Sequence, residues 1–178
     1  MTAAVIVLTL IVIAVVAAVG MIYPVSYNGL VRARQTVADA WAVVDIELQR
    51  RHELIPPLVQ SVQAAAIHER RVLDELVARE RSAAAAAHTA AARSEPEQQL
   101  AASARAVVAL REMYPQLDSQ ANFLRLQHDL AITEDRISAA RRFHNIKVAE
   151  LNRRTEAFPS NLIARLHRVE GGTYFGAP

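Results

Sequence analysis

Residues 30–62 read LVRARQTVADAWAVVDIELQRRHELIPPLVQSV. Stepping through them by alternating fours and threes lands on Leu30, Arg34, Val37, Trp41, Val44, Leu48, Arg51, Ile55, Leu58 and Val62. The same rhythm continues through Ala65, Glu69, Val72, Leu76, Arg79 and Ala83, and twelve of these sixteen positions are apolar. Such a sustained seam lets one helix face bury itself against partner helices. Pro56-Pro57 lies inside the seam, with Leu54-Ile55 before it and Leu58-Val59 after it in phase. No Gly, Asn or Ser loop surrounds the pair, and a helical hairpin normally spends at least two residues turning. The spacing therefore predicts a long helix kinked near Pro56 rather than a reversal of the chain.

Upstream, Ala3–Ile22 carries no charged side chain, and the next charge is Arg32. A helix needs about 20 apolar residues to cross a hydrocarbon core of about 30 Å, so this run predicts a single-pass transmembrane anchor. A cleaved signal peptide is the rival reading. It needs a basic n-region and an apolar core of roughly 7–15 residues, whereas Met1-Thr2 has no Lys or Arg and the run is longer. Ala18-Val19-Gly20 is an acceptable cleavage triplet, but the uncleaved anchor fits better, and without Cys a lipoprotein signal is excluded. Tyr23-Pro24-Val25-Ser26 is expected to end the anchor helix, since Pro lacks a backbone donor, with Ser26 capping the next helix. Arg32 and Arg34 follow the run and nothing basic precedes it, so the positive-inside rule predicts an outer N-terminus and a cytoplasmic bundle at the cell membrane. Tyr23, Tyr27, Asn28 and Arg32 then lie just beneath the bilayer. There Arg32 can meet anionic headgroups at about 1 kcal/mol per charge.

Downstream, Ala83–Ala92 has helix propensity but no large side chain to pack, and reads as a fraying helix end and loop at the far tip. Ser94-Glu95-Pro96-Glu97 matches the S-x-x-E capping box and opens a helix to about Met113, with Leu100, Ala104, Val107, Val108 and Leu110 on its apolar side. After Tyr114–Asp118, with Asp118 or Ser119 as N-cap, a last long helix reaches about Ala157. Its seam is Phe123, Leu126, Leu130, Thr133, Ile137, Ala140, His144, Val148 and Leu151. Phe158-Pro159-Ser160-Asn161 stops it, and Gly171-Gly172 loosens a short apolar tail. Two long seams joined by a distal turn predict antiparallel packing, with Trp41 facing Ala139-Ala140, Leu30 facing Leu151, Val44 facing Ile137 and Arg51 near Asp129. The fold class is all-α: a transmembrane anchor over 1–23, an elongated antiparallel helical bundle over 24–160 and a tail over 161–178.

Composition agrees with helix nearly throughout, with five Gly and 5% aromatic residues among 178. All but one of the 20 basic residues are Arg, the exception being Lys147, a skew expected of a GC-rich bacterial genome. Acidic and basic residues alternate and the formal charge is +2, so nothing demands a nucleic acid or other polyanion partner. No catalytic set converges either. Cys is absent, Val72 replaces the second His that His68-Glu69 would need for H-E-x-x-H, and E-x-x-H pairs, G-x-S-x-G, P-loop and G-x-G-x-x-G motifs are missing. The expectation is a non-enzyme without metal or cofactor.

Several stretches together resemble the LemA family. They are Tyr27-Asn28-x-Leu30-Val31-x-x-Arg34, Ala40-Trp41-Ala42-Val43-Val44-Asp45, Arg50-Arg51-His52-Glu53-Leu54-Ile55-Pro56 and Tyr114-Pro115-x-Leu117. They continue with Asn122-Phe123-Leu124-x-Leu126-Gln127, Glu134-x-x-Ile137-x-x-Ala140-Arg141-Arg142 and Phe158-Pro159-x-Asn161. Their order and spacing carry the likeness. The resemblance implies an N-terminal anchor and a helical, bundle-like domain, and no agreed biochemical activity. Some relatives are linked to membrane remodelling around organelles or lie beside membrane proteases. The chain departs from the family pattern at Pro57, where Asn is expected, and at His144, where Tyr usually precedes Asn145.

The candidate structural and interaction residues are Tyr27, Asn28, Arg34, Trp41, Asp45, Arg51, Pro56, Glu134, Arg141, Asn145 and Pro159. Of the polar seam positions, Glu69 and Arg79 read as side chains whose apolar stems lie on the stripe while their heads reach water. Arg34 and Arg51 fit that reading and a register-fixing role equally. His144 reads as a partly buried packing residue rather than a pH sensor. Val31, Val43 and Val59 are expected to remain as apolar surface for partner helices. The function that follows is a membrane-anchored scaffold that self-associates and organises proteins at the bilayer. The alternative is an adaptor or sensor subunit of a membrane protease or transport system.

Overall fold

The computed structural model describes residues 2–63, 65, 66 and 68–176, and the side chains within these except at positions 2–5, 15, 18 and 19. The described residues are predominantly helical, with no strand among them. The helices are α1 (Thr2–Gln63), α2 (Arg70–Ala85), α3 (Ala90–Ala109), α4 (Ala121–Glu156) and α5 (Ser160–Leu166), with short 3-10 turns at Leu110–Glu112 and Pro115–Leu117. Two compact units share them. The first comprises residues 1–38 and 147–172, the second 39–146 and 173–178.

Helix α1 runs through Tyr23-Pro24-Val25-Ser26, where a break was expected, and through Pro56-Pro57. Each proline removes one backbone donor, but the flanking i→i−4 bonds persist, so a long helix tolerates it. The chain does not reverse at Pro56-Pro57. It turns later, between Gln63 and Arg70, where the predicted seam runs straight on. The turn carries no Gly or Pro, and the spacing of Val72, Leu76 and Ala83 in α2 happens to stay in phase with α1, which hid it.

In the second unit, contacts fix the directions of four helical segments. His52 on α1 meets Glu80 on α2, and the indole N–H of Trp41 donates to the His88 carbonyl just past the end of α2, so α2 runs back along α1. The Ala-rich stretch therefore returns beside Trp41 instead of forming a far tip. Asp45 meets Arg93 and Arg51 meets Glu97, so α3 runs with α1. Trp41 meets His144, Arg51 meets Glu134 and Ser61 meets Gln120, so α4 runs against it. The resulting core joins Ile55, Leu58, Val62, Leu73, Leu76, Leu100, Val107, Leu117, Phe123 and Leu126. Every predicted seam position of α4 within this unit, from Phe123 to His144, is buried. Val59, expected on the surface, is 8% exposed in this core, whereas Val43 is 48% exposed. Helix α3 starts at Ala90 with the Thr89 hydroxyl accepting from the Ala92 N–H, so the Ser94–Glu97 motif lies inside the helix and is not its cap.

In the first unit, Leu30 packs with Ile163, Ala164 and Val169 rather than with Leu151. The predicted loose tail is helical from Ser160 to Leu166, and its glycines are pinned. Asn152 Oδ1 accepts from the Gly172 N–H at 2.7 Å, and a Cβ on Gly171 would lie 2.6 Å from the same oxygen. An alanine there would have to push the Asn152 carboxamide off the Gly172 N–H. Tyr23 and Tyr27 stack, and the Tyr23 hydroxyl lies 2.8 Å from His167 Nε2.

Among the described residues no helix is long and apolar enough to cross a membrane. The expected anchor, Ala3–Ile22, falls partly on positions outside the described side chains. Of those described, Ile6, Leu8, Leu10 and Ile13 are more than half exposed. Leu58→Ala, which empties a fully buried site, is expected to cost about 2–5 kcal/mol. Leu166→Ala, at an exposed position, should change stability by less than about 0.5 kcal/mol. Urea unfolding followed by circular dichroism of the full chain measures both.

Candidate functional site

The most concentrated polar chemistry lies inside the four-segment bundle. Arg51 arrives there because its heptad position faces inward between Leu48 and Ile55. It is 2% exposed. Its Nη1 donates to Glu134 Oε1 at 2.8 Å, and its Nη2 donates to the Glu97 carbonyl and to Glu97 Oε2. The next residue, His52, reaches Glu97 Oε1 at 3.0 Å through Nε2 and Glu80 Oε1 at 3.3 Å through Nδ1. One ionic chain, Glu80–His52–Glu97–Arg51–Glu134, thus touches all four segments.

Its electrostatics follow from this order. The Glu97 hydrogen bond raises the His52 pKa above its ordinary 6.5, against the opposing effect of burial. Burial alone would raise the Glu97 carboxyl. The His52 hydrogen bond and the Arg51 charge overcome that and hold it below its ordinary range. Arg51 Nε is buried without a hydrogen-bond partner.

A second cluster lies one turn and more toward the start of α1. Asp45 accepts from buried Arg93, and His88 Nδ1 stands 3.4 Å from the same carboxylate oxygen. Trp41 packs edge-on against His144 and Phe175 at ring-centre distances of 5.5 and 5.3 Å. Asn145 grips the tail by its main chain: Oδ1 accepts from the Phe175 N–H at 3.0 Å while Nδ2 donates to the Phe175 carbonyl at 3.2 Å. Ser94 Oγ accepts from the Gly176 N–H. Gly176 has φ +75°, and a Cβ there would press on the Arg141 side chain at 3.2 Å. Burial lowers the His144 pKa, partly offset by Asn145.

Six of the sequence-predicted residues therefore belong to these clusters: Trp41, Asp45, Arg51, Glu134, Arg141 and Asn145. Arg34 and Pro56 are exposed, and Pro159 precedes α5. Tyr27 and Asn28 belong to the other unit. His144, expected to be partly buried, is 1% exposed. Arg51 pairs with Glu134 rather than near Asp129, more than a turn further along α4. Sequence reasoning missed Glu97, His52, Arg93 and Phe175. Glu97 was read as a cap partner, but the spacing Arg93-x-x-x-Glu97-x-x-Leu100 already places both charges on the apolar face of α3. The described residues hold no group of His and carboxylate side chains arranged to bind a metal ion.

The arrangement ties four helical segments together and seats a peptide tail. Residues 40–178 match the model of the LemA family. No curated protein matches the chain.

Removing one partner from a buried pair strands the other charge, so Arg51→Met is expected to cost about 3–5 kcal/mol. Arg51→Met combined with Glu97→Met should recover much of that. Glu134→Gln, at a partly exposed partner, should cost about 1 kcal/mol or less. The two histidines give opposite pH dependence. The stabilisation from His52, whose folded pKa is raised, is complete below pH 6.5 and is lost as pH rises through the folded value. That from His144, whose folded pKa is lowered, is complete above pH 6.5 and is lost as pH falls through the folded value. Urea titrations across this range should show the alkaline loss abolished in His52→Gln and the acid loss reduced in His144→Gln.

Proposed function

The chain belongs to the LemA family, and we propose that it is a membrane-anchored helical scaffold that self-associates and organises other proteins at the bilayer, without catalysis. The observation that carries this reading is the exposure of large apolar side chains at the start of α1. Ile6, Leu8, Leu10 and Ile13 are 60, 63, 61 and 58% exposed, within a sequence run that has no charge from Ala3 to Ile22. A lone exposed Leu needs no explanation, but a whole helical segment of them does. A hydrocarbon core is the solvent that suits it, with the N-terminus outside and the bundle in the cytoplasm.

Self-association is supported by apolar residues left on the bundle surface. Val43 and Ile46 share a face of α1 and are 48 and 61% exposed, while Phe143 and Ile146 share a face of α4 and are 48 and 63% exposed. The ionic chain serves this role as an internal brace, keeping the presented faces in register.

In-membrane crosslinking with mass spectrometry tests the proposal. The chain lacks cysteine, so Ile46→Cys introduces a single thiol. Oxidation should give homotypic disulfide dimers, and Arg125→Cys on an exposed polar surface should not. A chain that stays monomeric at high concentration and yields no crosslinked species would defeat self-association. Recovery of one stoichiometric foreign partner without homotypic products would favour an adaptor or sensor subunit of a membrane protease or transport system.

A further inference from the structure

A cleft of about 480 Å³ opens in the first unit between one face of α1 and the last turns of α4. Asn28, Gly29 and Arg32 line it from α1, and Lys147, Glu150 and Arg154 from α4. Three cations therefore face one carboxylate. Arg154 and Lys147 both lie against Glu150, at 3.1 and 3.7 Å, whereas Arg32 pairs with no carboxylate among the described residues.

The cleft is built, not incidental. Glycine inside a helix costs about 0.5–1 kcal/mol relative to alanine, yet Gly29 occupies the middle of α1. A Cβ there would stand 2.9 Å from Arg154 Nη1, so any larger residue would displace the guanidinium from this position. The missing side chain lets the guanidinium settle onto the helix. Arg154 Nε, meanwhile, is buried without a hydrogen-bond partner. The cleft thus gathers three cationic side chains, Arg32, Lys147 and Arg154, and the Asn28 carboxamide along its lining.

We propose that this cleft holds the phosphate group of an anionic membrane lipid. The inference rests on the reading of Ala3–Ile22 as an anchor. At 1.5 Å per residue, Asn28 and Arg32 lie roughly 9 and 15 Å along the helix from Ile22. The headgroup layer extends about 5–8 Å beyond the hydrocarbon, so the cleft begins where lipid phosphates end and its long cationic side chains reach back to them. Guanidinium groups bind phosphate oxygens with paired, charge-assisted hydrogen bonds. Glu150 has the opposite task, holding Lys147 and Arg154 in position and keeping the empty cleft from excess charge.

Native mass spectrometry of the full chain in detergent, with phosphatidylglycerol and phosphatidylcholine as probes, tests this. Phosphatidylglycerol should bind roughly tenfold more tightly than phosphatidylcholine, and that preference should vanish in the triple variant Arg32→Gln, Lys147→Gln, Arg154→Gln. Arg125→Gln should leave it intact. Gly29→Ala keeps every charge but removes the seat of Arg154, and should weaken phosphatidylglycerol binding several-fold. This variant and Arg32→Gln alone decide the matter if the triple variant loses helix content. Wild-type binding in all of them overturns the proposal. Displacement of the lipid by millimolar inorganic phosphate assigns the site to free phosphate and also overturns it. An alkaline wash of membranes carrying the same variants reads the anchor separately: release there sinks the anchor, whereas retention with unchanged lipid preference sinks only the cleft.

Discussion

The bundle of the second unit depends on one buried guanidinium. Arg51 cannot be left unpaired in an apolar interior, because the desolvation of an isolated charge costs several kcal/mol. Its two terminal nitrogens are paired by Glu97 from α3 and Glu134 from α4. Glu97 then needs His52 on its other oxygen, and His52 extends the chain of contacts to Glu80 on α2. Apolar seams alone tolerate a slip by one heptad, since leucine meets leucine again. An ionic chain with members on four segments does not. Hydrophobic burial drives these helices together, and in the register they adopt Arg51, Glu97, His52, Glu80 and Glu134 meet one another.

Much of this was legible in the residues. The α4 seam from Phe123 to Leu151 is buried at every position, because a 3.6-residue period over thirty residues leaves little ambiguity. The α1 seam is likewise buried at every position from Val44 through Val62 and at Leu30, whereas Arg34 is exposed and Val37 and Trp41 are half-buried. What escaped was the reversal between Gln63 and Arg70. Turns are read from Gly, Pro and Asn, and this one is made of ordinary residues tied by Gln116 to the Ala65 carbonyl and by Tyr114 to Glu69. Pro24 gave the converse error, marking a boundary at Tyr23–Ser26 that the helix ignores. Partners distant in sequence, such as Glu97 for Arg51 and Phe175 for Trp41, follow from topology and have no local signature.

The two units carry different kinds of chemistry. The second closes its charges on one another, with carboxylates and cations matched in the interior, which suits a brace. The first leaves cations facing a cleft and aromatic rings of Tyr23, Tyr27 and His167 stacked on the surface, which suits contact with something outside the chain. One unit thus has a self-satisfied interior, while the other turns cations and aromatic rings toward its surface.

The grip of Asn145 on the tail has a consequence for how this sequence can vary. Its carboxamide holds the amide and carbonyl of residue 175 and is indifferent to the side chains on either side. Thr173 and Tyr174 project outward and are free to drift. Position 175 must fill the space beside Trp41, and position 176 must accept a positive φ against Arg141. The end of the chain is therefore written in a short grammar, two open letters followed by an aromatic and a glycine, and a homologue that keeps Trp41 and Asn145 should keep that grammar too.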